Sequence, residues 1–241
     1  MPEKGIFITG TDTGVGKTIA AAALARILLL RGINVGIMKP VTSGCSSRDG
    51  RLVSDDAELL AWAAGASAVS PDNAPYLFAD PIAPSEAASH EGVRIEFSRI
   101  RDAYERLARQ HDFVIVEGAG GLMVPLAGGL LIADLINDLH LPTLVVTRPD
   151  LGTINHTLLT TYAAKQMGIA VAGIVINNYP AQPDQVESYA PHLLGSLASA
   201  PILGVFPKID ADEPKRLVEL LVEKLIPHLL TPFLLKELGF E

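Results

Sequence analysis

Gly5-Ile-Phe-Ile-Thr-Gly-Thr-Asp-Thr-Gly-Val-Gly-Lys-Thr18 is the stretch from which the fold can be read. An apolar run, Ile6 to Ile8, ends in a loop holding Gly10, Gly14 and Gly16. Lys17 and Thr18 then open an Ala/Leu-rich helical pattern. Strand, glycine loop, Lys-Thr and helix is the layout of a loop that cradles nucleoside triphosphate phosphates. Glycines let the backbone turn its N–H groups onto phosphate oxygens, and the helix N-terminus adds partial positive charge. In this layout Gly14, Val15 and Gly16 line the phosphates, Lys17 reaches the β/γ-phosphates and the Thr18 hydroxyl ligates Mg²⁺. One detail departs from G-x-x-x-x-G-K-[ST]: the position for the first glycine holds Thr11, and Gly10 lies one residue further away.

Outward from this loop, short apolar β-branched runs alternate with helical patterns. Strands are predicted at Gly5–Thr9, Val35–Lys39, Phe113–Glu117, Thr143–Thr147, Val171–Asn177 and Ile202–Val205. Helices are predicted at Lys17–Leu30, Asp55–Ala64, Phe97–Gln110, Leu131–Asp138, Ile154–Met167, Val186–Leu194 and Pro214–Leu225. Buried strands separated by helices imply an α/β fold of the P-loop NTPase type, a mostly parallel sheet of about seven strands with helices on both faces. Residues 1–241 are expected to form a single domain. Ser67–Pro84 reads as a long loop with room for a short strand at Tyr76–Phe78. The segment His228 to Glu241 is too apolar for a free tail and is expected to pack on its own domain or on a partner subunit.

The chain has 241 residues, 49% of them hydrophobic, and a net charge of −8. That charge argues against a general nucleic-acid or anionic-membrane surface. A single cysteine, Cys45, excludes an internal disulfide and suits a reducing compartment; it reads as a bystander thiol. No secretory signal or membrane-length apolar run is visible, so a cytoplasmic protein is expected.

In parallel sheets ligands gather at the carboxyl ends of the strands, so the residues that follow each strand are the candidates. Lys39 follows the second strand, beside Pro40 and Gly44. It is either a surface lysine or a cation that stabilises a transferred phosphoryl or carboxyl-type group. Ser54, Asp55 and Asp56 open a helix; capping by Ser54 or Asp55 accounts for one acid, and either acid could hold metal. Glu117 ends a hydrophobic strand and is followed by Gly118, Ala119, Gly120 and Gly121, the arrangement of an acid that holds Mg²⁺. Gly152 and Thr153 stand at a helix start, where amides can receive a carboxylate or Thr153 can simply cap; His156 reads as a packed residue. Asn177 and Asn178 can pair with an adenine edge or serve turn chemistry before Pro180. Phe206, Pro207 and Lys208 could wall a base.

Five motifs in this order, Gly10-Thr-Asp-Thr-Gly-Val-Gly-Lys-Thr18, Lys39-Pro-Val-Thr-Ser-Gly44, Ser54-Asp-Asp-Ala57, Val116-Glu-Gly-Ala-Gly-Gly121 and Leu151-Gly-Thr-Ile-Asn-His156, resemble the dethiobiotin synthetase family. The likeness runs from about residue 6 to about residue 208, and the shifted Gly10 is the form that family uses. It implies a ligase that binds ATP and Mg²⁺ and acts on 7,8-diaminopelargonate and CO₂. One amine forms a carbamate, which attacks the γ-phosphate to give a carbamic–phosphoric anhydride. The second amine then closes a cyclic urea. By this likeness Lys17 and Lys39 hold the carbamate and phosphate charges, and Thr18, Asp56 and Glu117 ligate Mg²⁺. Thr13 and Ser43 touch substrate, and Asn177 binds adenine. The amides of Gly152 to Asn155 hold the substrate carboxylate, in the site of the other subunit of a homodimer. Lys208 to Glu213 are poorly matched to the family. A nucleotide-switched ATPase of the partition and division-site type is the competing expectation. Its usual early loop lysine is replaced here by Thr-Asp-Thr-Gly, and the apolar C-terminal segment, with Lys236 as its one cation, is a poor lipid anchor.

Overall fold

The computed structural model describes residues 5–240. The opening apolar run becomes β1 (Gly5–Gly10), buried along its whole length. It is joined by β2 (Val35–Met38), β3 (Phe113–Gly121), β4 (Thr143–Thr147), β5 (Val171–Tyr179) and β6 (Ile202–Pro207). The six pair in the order β6-β5-β4-β1-β3-β2, every pairing parallel. All six expected strands are present; the sheet has six where about seven were expected. The remaining extended segments pair only as two-stranded ribbons, among them Val41–Thr42 with Tyr76–Leu77, the short strand expected inside the Ser67–Pro84 stretch.

Helices cover both faces: α1 (Lys17–Leu30), α2 (Asp55–Ala63), α3 (Pro84–His90), α4 (Phe97–Gln110), α5 (Ile132–Leu139), α6 (Thr153–Gln166), α7 (Gln185–Leu197), α8 (Pro214–Leu225) and α9 (Thr231–Glu237). Ala20 to Ala23 are buried, so α1 comes close to the sheet, in one cluster with Leu60 of α2 and Leu221 of α8. The opposite face is filled by Ile100 and Leu107 of α4 and Leu135 and Ile136 of α5 against Phe7 and Val116. α3 and α9 were not foreseen. Pro84 at the first turn of α3 supplies the start signal. In the C-terminal segment, α9 buries Leu234 and Leu235 in the α1-side core, and the Phe240 ring meets Phe113 edge-on. The segment therefore packs on its own chain.

β1 stands where the strand order turns. On one side lie β4, β5 and β6, on the other β3 and β2. Such a position opens a crevice beyond the carboxyl ends of the strands. Ile8 pairs with Glu117 and Gly10 with Gly121, with a register slip between them. The slip leaves the glycines after Glu117 beside the loop that follows β1.

Candidate active site

The loop after β1 is held by the features its sequence promised. Gly14 and Gly16 have φ of 77° and 86°, a region that favours glycine. Gly16 is also the residue before α1, and no side chain caps that helix, so the first-turn amides are left for an anion. Gly10 is fixed by crowding instead: a Cβ there would lie 2.8 Å from Val15 Cγ2 and 3.0 Å from Lys17 Nζ. The displaced glycine is thus the residue that lets the lysine fold back over its own loop. Lys17 Nζ donates to the Asp12 carbonyl at 3.1 Å. Burial lowers the pKa of Lys17 below its ordinary value; Glu117 opposes that shift and Lys39 adds to it.

At the head of the loop, two strands and two helices bring charge together. Lys39, one residue beyond β2, is buried and donates to Glu117 Oε1 at 2.6 Å and to Asp56 Oδ2 at 2.7 Å. Burial works against its charge, but Glu117 and then Asp56 outweigh it, and the pKa of Lys39 is raised. Thr18 Oγ1 donates to the same Glu117 Oε1 at 2.8 Å. Glu117 is 0% exposed, and its Oε2 is buried without a partner. A buried carboxylate oxygen left unpaired is costly, and a cation beside it would remove the cost. Among the described residues no three His, Cys, Asp or Glu side chains cluster as a closed metal site. One hydroxyl, two carboxylates and phosphate oxygens suit Mg²⁺, which keeps waters and uses few protein ligands.

The geometry gives Asp55 and Asp56 different partners. Ser54 caps α2 by accepting from the Ala57 amide at 3.1 Å. Asp55 then points away from the site and pairs with Arg48, while Asp56 pairs with Lys39. Within one short motif, Ser54 caps the helix and Asp56 is the acid beside Lys39.

On the other flank, Asn177 at the end of β5 is buried and donates from Nδ2 to the Val15 carbonyl at 3.0 Å. It therefore holds the phosphate loop directly. A Cβ on Gly16 would lie 2.1 Å from that nitrogen. Asn178, next in the chain, is exposed with φ of 59°. Phe206 is 2% exposed and belongs to the core; of the three residues read as a base wall, Pro207 and Lys208 keep exposure. Thr13 is exposed at the loop, its amide bonded to Asp12 Oδ1, and Ser43 is half-buried beyond Lys39. Gly118 packs under the Phe7 ring, Ala119 is half-buried, and Gly120 has φ of 67° with Thr13 Oγ1 3.7 Å from its would-be Cβ. α6 starts after Gly152, whose φ is 97°, and no side chain caps it. Thr153 is not that cap: its hydroxyl donates to the Arg148 carbonyl. Asn155 is exposed on the first turn.

Sequence reasoning missed the hydroxyls of Thr11, Thr147 and Thr157, which meet between the loop and α6. The signal was a threonine ending β4 opposite a threonine following Gly10.

Comparison with known proteins adds an independent line. A family model described as an AAA domain matches residues 4–216. The ATP-dependent dethiobiotin synthetase BioD of Bacillus licheniformis is 41% identical over 214 residues, covering 89% of this chain and 90% of that protein. The protein of the same name from Thermodesulfovibrio yellowstonii is 42% identical over 211 residues, 84% of this chain and 88% of its own. Among solved structures, the cell division ATPase MinD of Pyrococcus furiosus superposes with a TM-score of 0.55 at 20% identity, over 93% of this chain and 98% of that one. A ParA family ATPase from Chlorobium tepidum gives 0.55 at 17% identity, over 98% and 97%. Likeness at that level speaks for the fold alone.

Proposed function

This chain belongs to the ATP-dependent dethiobiotin synthetase family, and from that premise we propose that it closes 7,8-diaminopelargonate and CO₂ into a cyclic urea through a carbamate and a carbamic–phosphoric anhydride. It is an ATP-dependent ligase of biotin biosynthesis. The observation that carries the finer reading is the buried Lys39, held between Asp56 and Glu117 at the head of the phosphate loop. Phosphoryl transfer needs fixed cations and alignment more than a protein nucleophile, and that is what these residues offer.

In this reading one amine takes up CO₂ and loses a proton to become a carbamate. A carbamate oxygen attacks the γ-phosphorus, and the bond to the β-phosphate oxygen breaks to release ADP. Lys17 and Lys39 hold the charge that gathers on the phosphoryl oxygens and the carbamate. The second amine then attacks the carbonyl carbon, phosphate leaves, and the nitrogen gives its proton to water or the departing phosphate. Mg²⁺ would be held by Thr18, Asp56 and Glu117 and neutralises phosphate charge when bound. Asn177, Asn178, Pro207 and Lys208 would receive the adenine. Thr13 and Ser43 face the diamine. The uncapped amides of Gly152, Thr153 and Asn155 take its carboxylate, in the partner's site of a homodimer, with residues 1–241 as one domain.

The test is phosphate release from ATP and Mg²⁺, with and without 7,8-diaminopelargonate and bicarbonate, with the product followed by mass. Release that requires the diamine, one phosphate per cyclic urea, is expected. Release indifferent to the diamine would replace this reading with that of a switch ATPase.

A further inference from the structure

Four threonine hydroxyls join the phosphate loop to the start of α6. Thr11 Oγ1 lies 3.1 Å from Thr147 Oγ1, Thr147 Oγ1 lies 2.8 Å from Thr153 Oγ1, and Thr157 donates to Thr147 at 2.9 Å. Thr147, Thr153 and Thr157 are buried from solvent. A hydroxyl has one proton and two acceptor lone pairs, and this fixes the direction of every bond. Thr153 spends its proton on the Arg148 carbonyl, so it must accept from Thr147. Thr157 already donates to Thr147, so the remaining lone pair of Thr147 takes the proton of Thr11. The chain runs Thr11 to Thr147 to Thr153 to the Arg148 carbonyl, with Thr157 feeding in at Thr147. Thr147 is its only junction, with its proton and both lone pairs used. The two segments it ties are the turn directly after Gly10 and the first turn of α6.

We propose that Thr147 is a positioning residue that locks the first turn of α6 to the phosphate loop, and so sets how well the α6 amides receive the carboxylate of the diamine. This rests on the carboxylate reading of α6 given above. Charge is not needed for such a part. A saturated chain of neutral hydrogen bonds holds geometry without creating a field that would compete with the ligand. Misplacement of a binding group by a fraction of its bond length costs an order of magnitude or more.

The experiment compares 7,8-diaminopelargonate with 2,3-diaminononane, the same diamine with a methyl in place of the carboxylate. Wild type is expected to have the lower KM for the acid. Thr147→Val should raise KM for the acid about tenfold, leave KM for the uncharged diamine and both kcat values within about twofold, and Thr147→Ser should restore the wild-type pattern. Thr11→Val, at the half-exposed end of the chain, should give the same pattern in weaker form if Thr147→Val does not fold. Equal loss on both diamines, or loss in kcat alone, would overturn the positioning role while leaving the carboxylate site intact. Wild-type kinetics that do not distinguish the diamines would overturn the carboxylate reading of α6, and the inference with it.

Discussion

The two flanks of β1 solve opposite problems with opposite chemistry. Toward β3 and β2 the loop meets ions: Lys39, Asp56 and Glu117, with Thr18 attached. Toward β4 it meets only neutral hydroxyls. Within the chain of four threonines every proton is assigned. The ionic flank is incomplete, since Glu117 Oε2 has no partner. A finished network holds shape, and an unfinished one waits for a ligand to finish it. The open carboxylate oxygen lies on the ionic flank, where Lys39, Asp56 and Thr18 already converge.

The sharpest way to break the comparison is to remove a cation. Lys39→Ala should lower turnover about 100-fold or more. It should also destabilise the fold, by on the order of 3 kcal/mol, because Glu117 is left buried without its cation; kcat together with thermal melting checks both. Lys17→Ala should lower turnover by a similar ~100-fold, yet leave the melting temperature unchanged or higher, since burial already disfavours its charge. A melting drop equal to that of Lys39→Ala would erase the distinction between them.

The two lysines also differ with pH. The raised pKa of Lys39 means its contribution to stability is full below the ordinary 10.5 and is lost only as pH rises through a still higher value. Lys17, lowered from 10.5, is the opposite case: its charge handicaps the fold at low pH, and the handicap is relieved progressively from its lowered pKa up to 10.5. Triphosphate affinity should therefore weaken on the alkaline side before the Lys39 network opens. A nucleotide titration over that range, beside a stability curve, would show affinity failing first; simultaneous failure would contradict the assignment. Glu117→Gln should shift the Mg²⁺ midpoint of activity about tenfold, and an unmoved midpoint would remove Glu117 from the metal site. The smallest effect belongs to Asp55→Ala. Its partner Arg48 lies at the surface, where ion pairs contribute little, so turnover should stay within about twofold.

Much of this was legible in the sequence because the physics is local. A strand, a glycine loop and a helix are specified by neighbouring residues, and β1, α1 and the parallel plan followed from them, although the sheet has six strands where about seven were expected. Lys39 and Glu117 were legible for the same reason, as charges that end apolar strands. The residues alone left Asp55 and Asp56 open and only the family likeness selected Asp56, because their partners depend on Arg48, from the hairpin of residues 46–53, drawing Asp55 away. Asn177 was read for its amide chemistry, but its bond to Val15 spans 162 residues. Phe206 looked like a wall because aromatic rings at strand ends often face ligands; here the core claims it. The threonines at the end of β4 and after Gly10 gain meaning only when β4 and the loop lie side by side.

The sheet order has a consequence for how the chain assembles. β1 pairs with β3 and β4, never with β2, which follows it in the chain. Thr18 meets Glu117 across 99 residues, and Thr11 meets Thr147 across 136. Contacts so distant in sequence form late and slowly. The phosphate loop is encoded near the start of the chain, yet it takes shape only when the middle of the chain has come home. A chain with α1 formed but β3 and β4 not yet beside β1 lacks the Glu117 and Thr147 contacts of the loop. Nucleotide would then act on the last step of folding, drawing the population toward the finished state by mass action, and its binding would report that the whole sheet has closed.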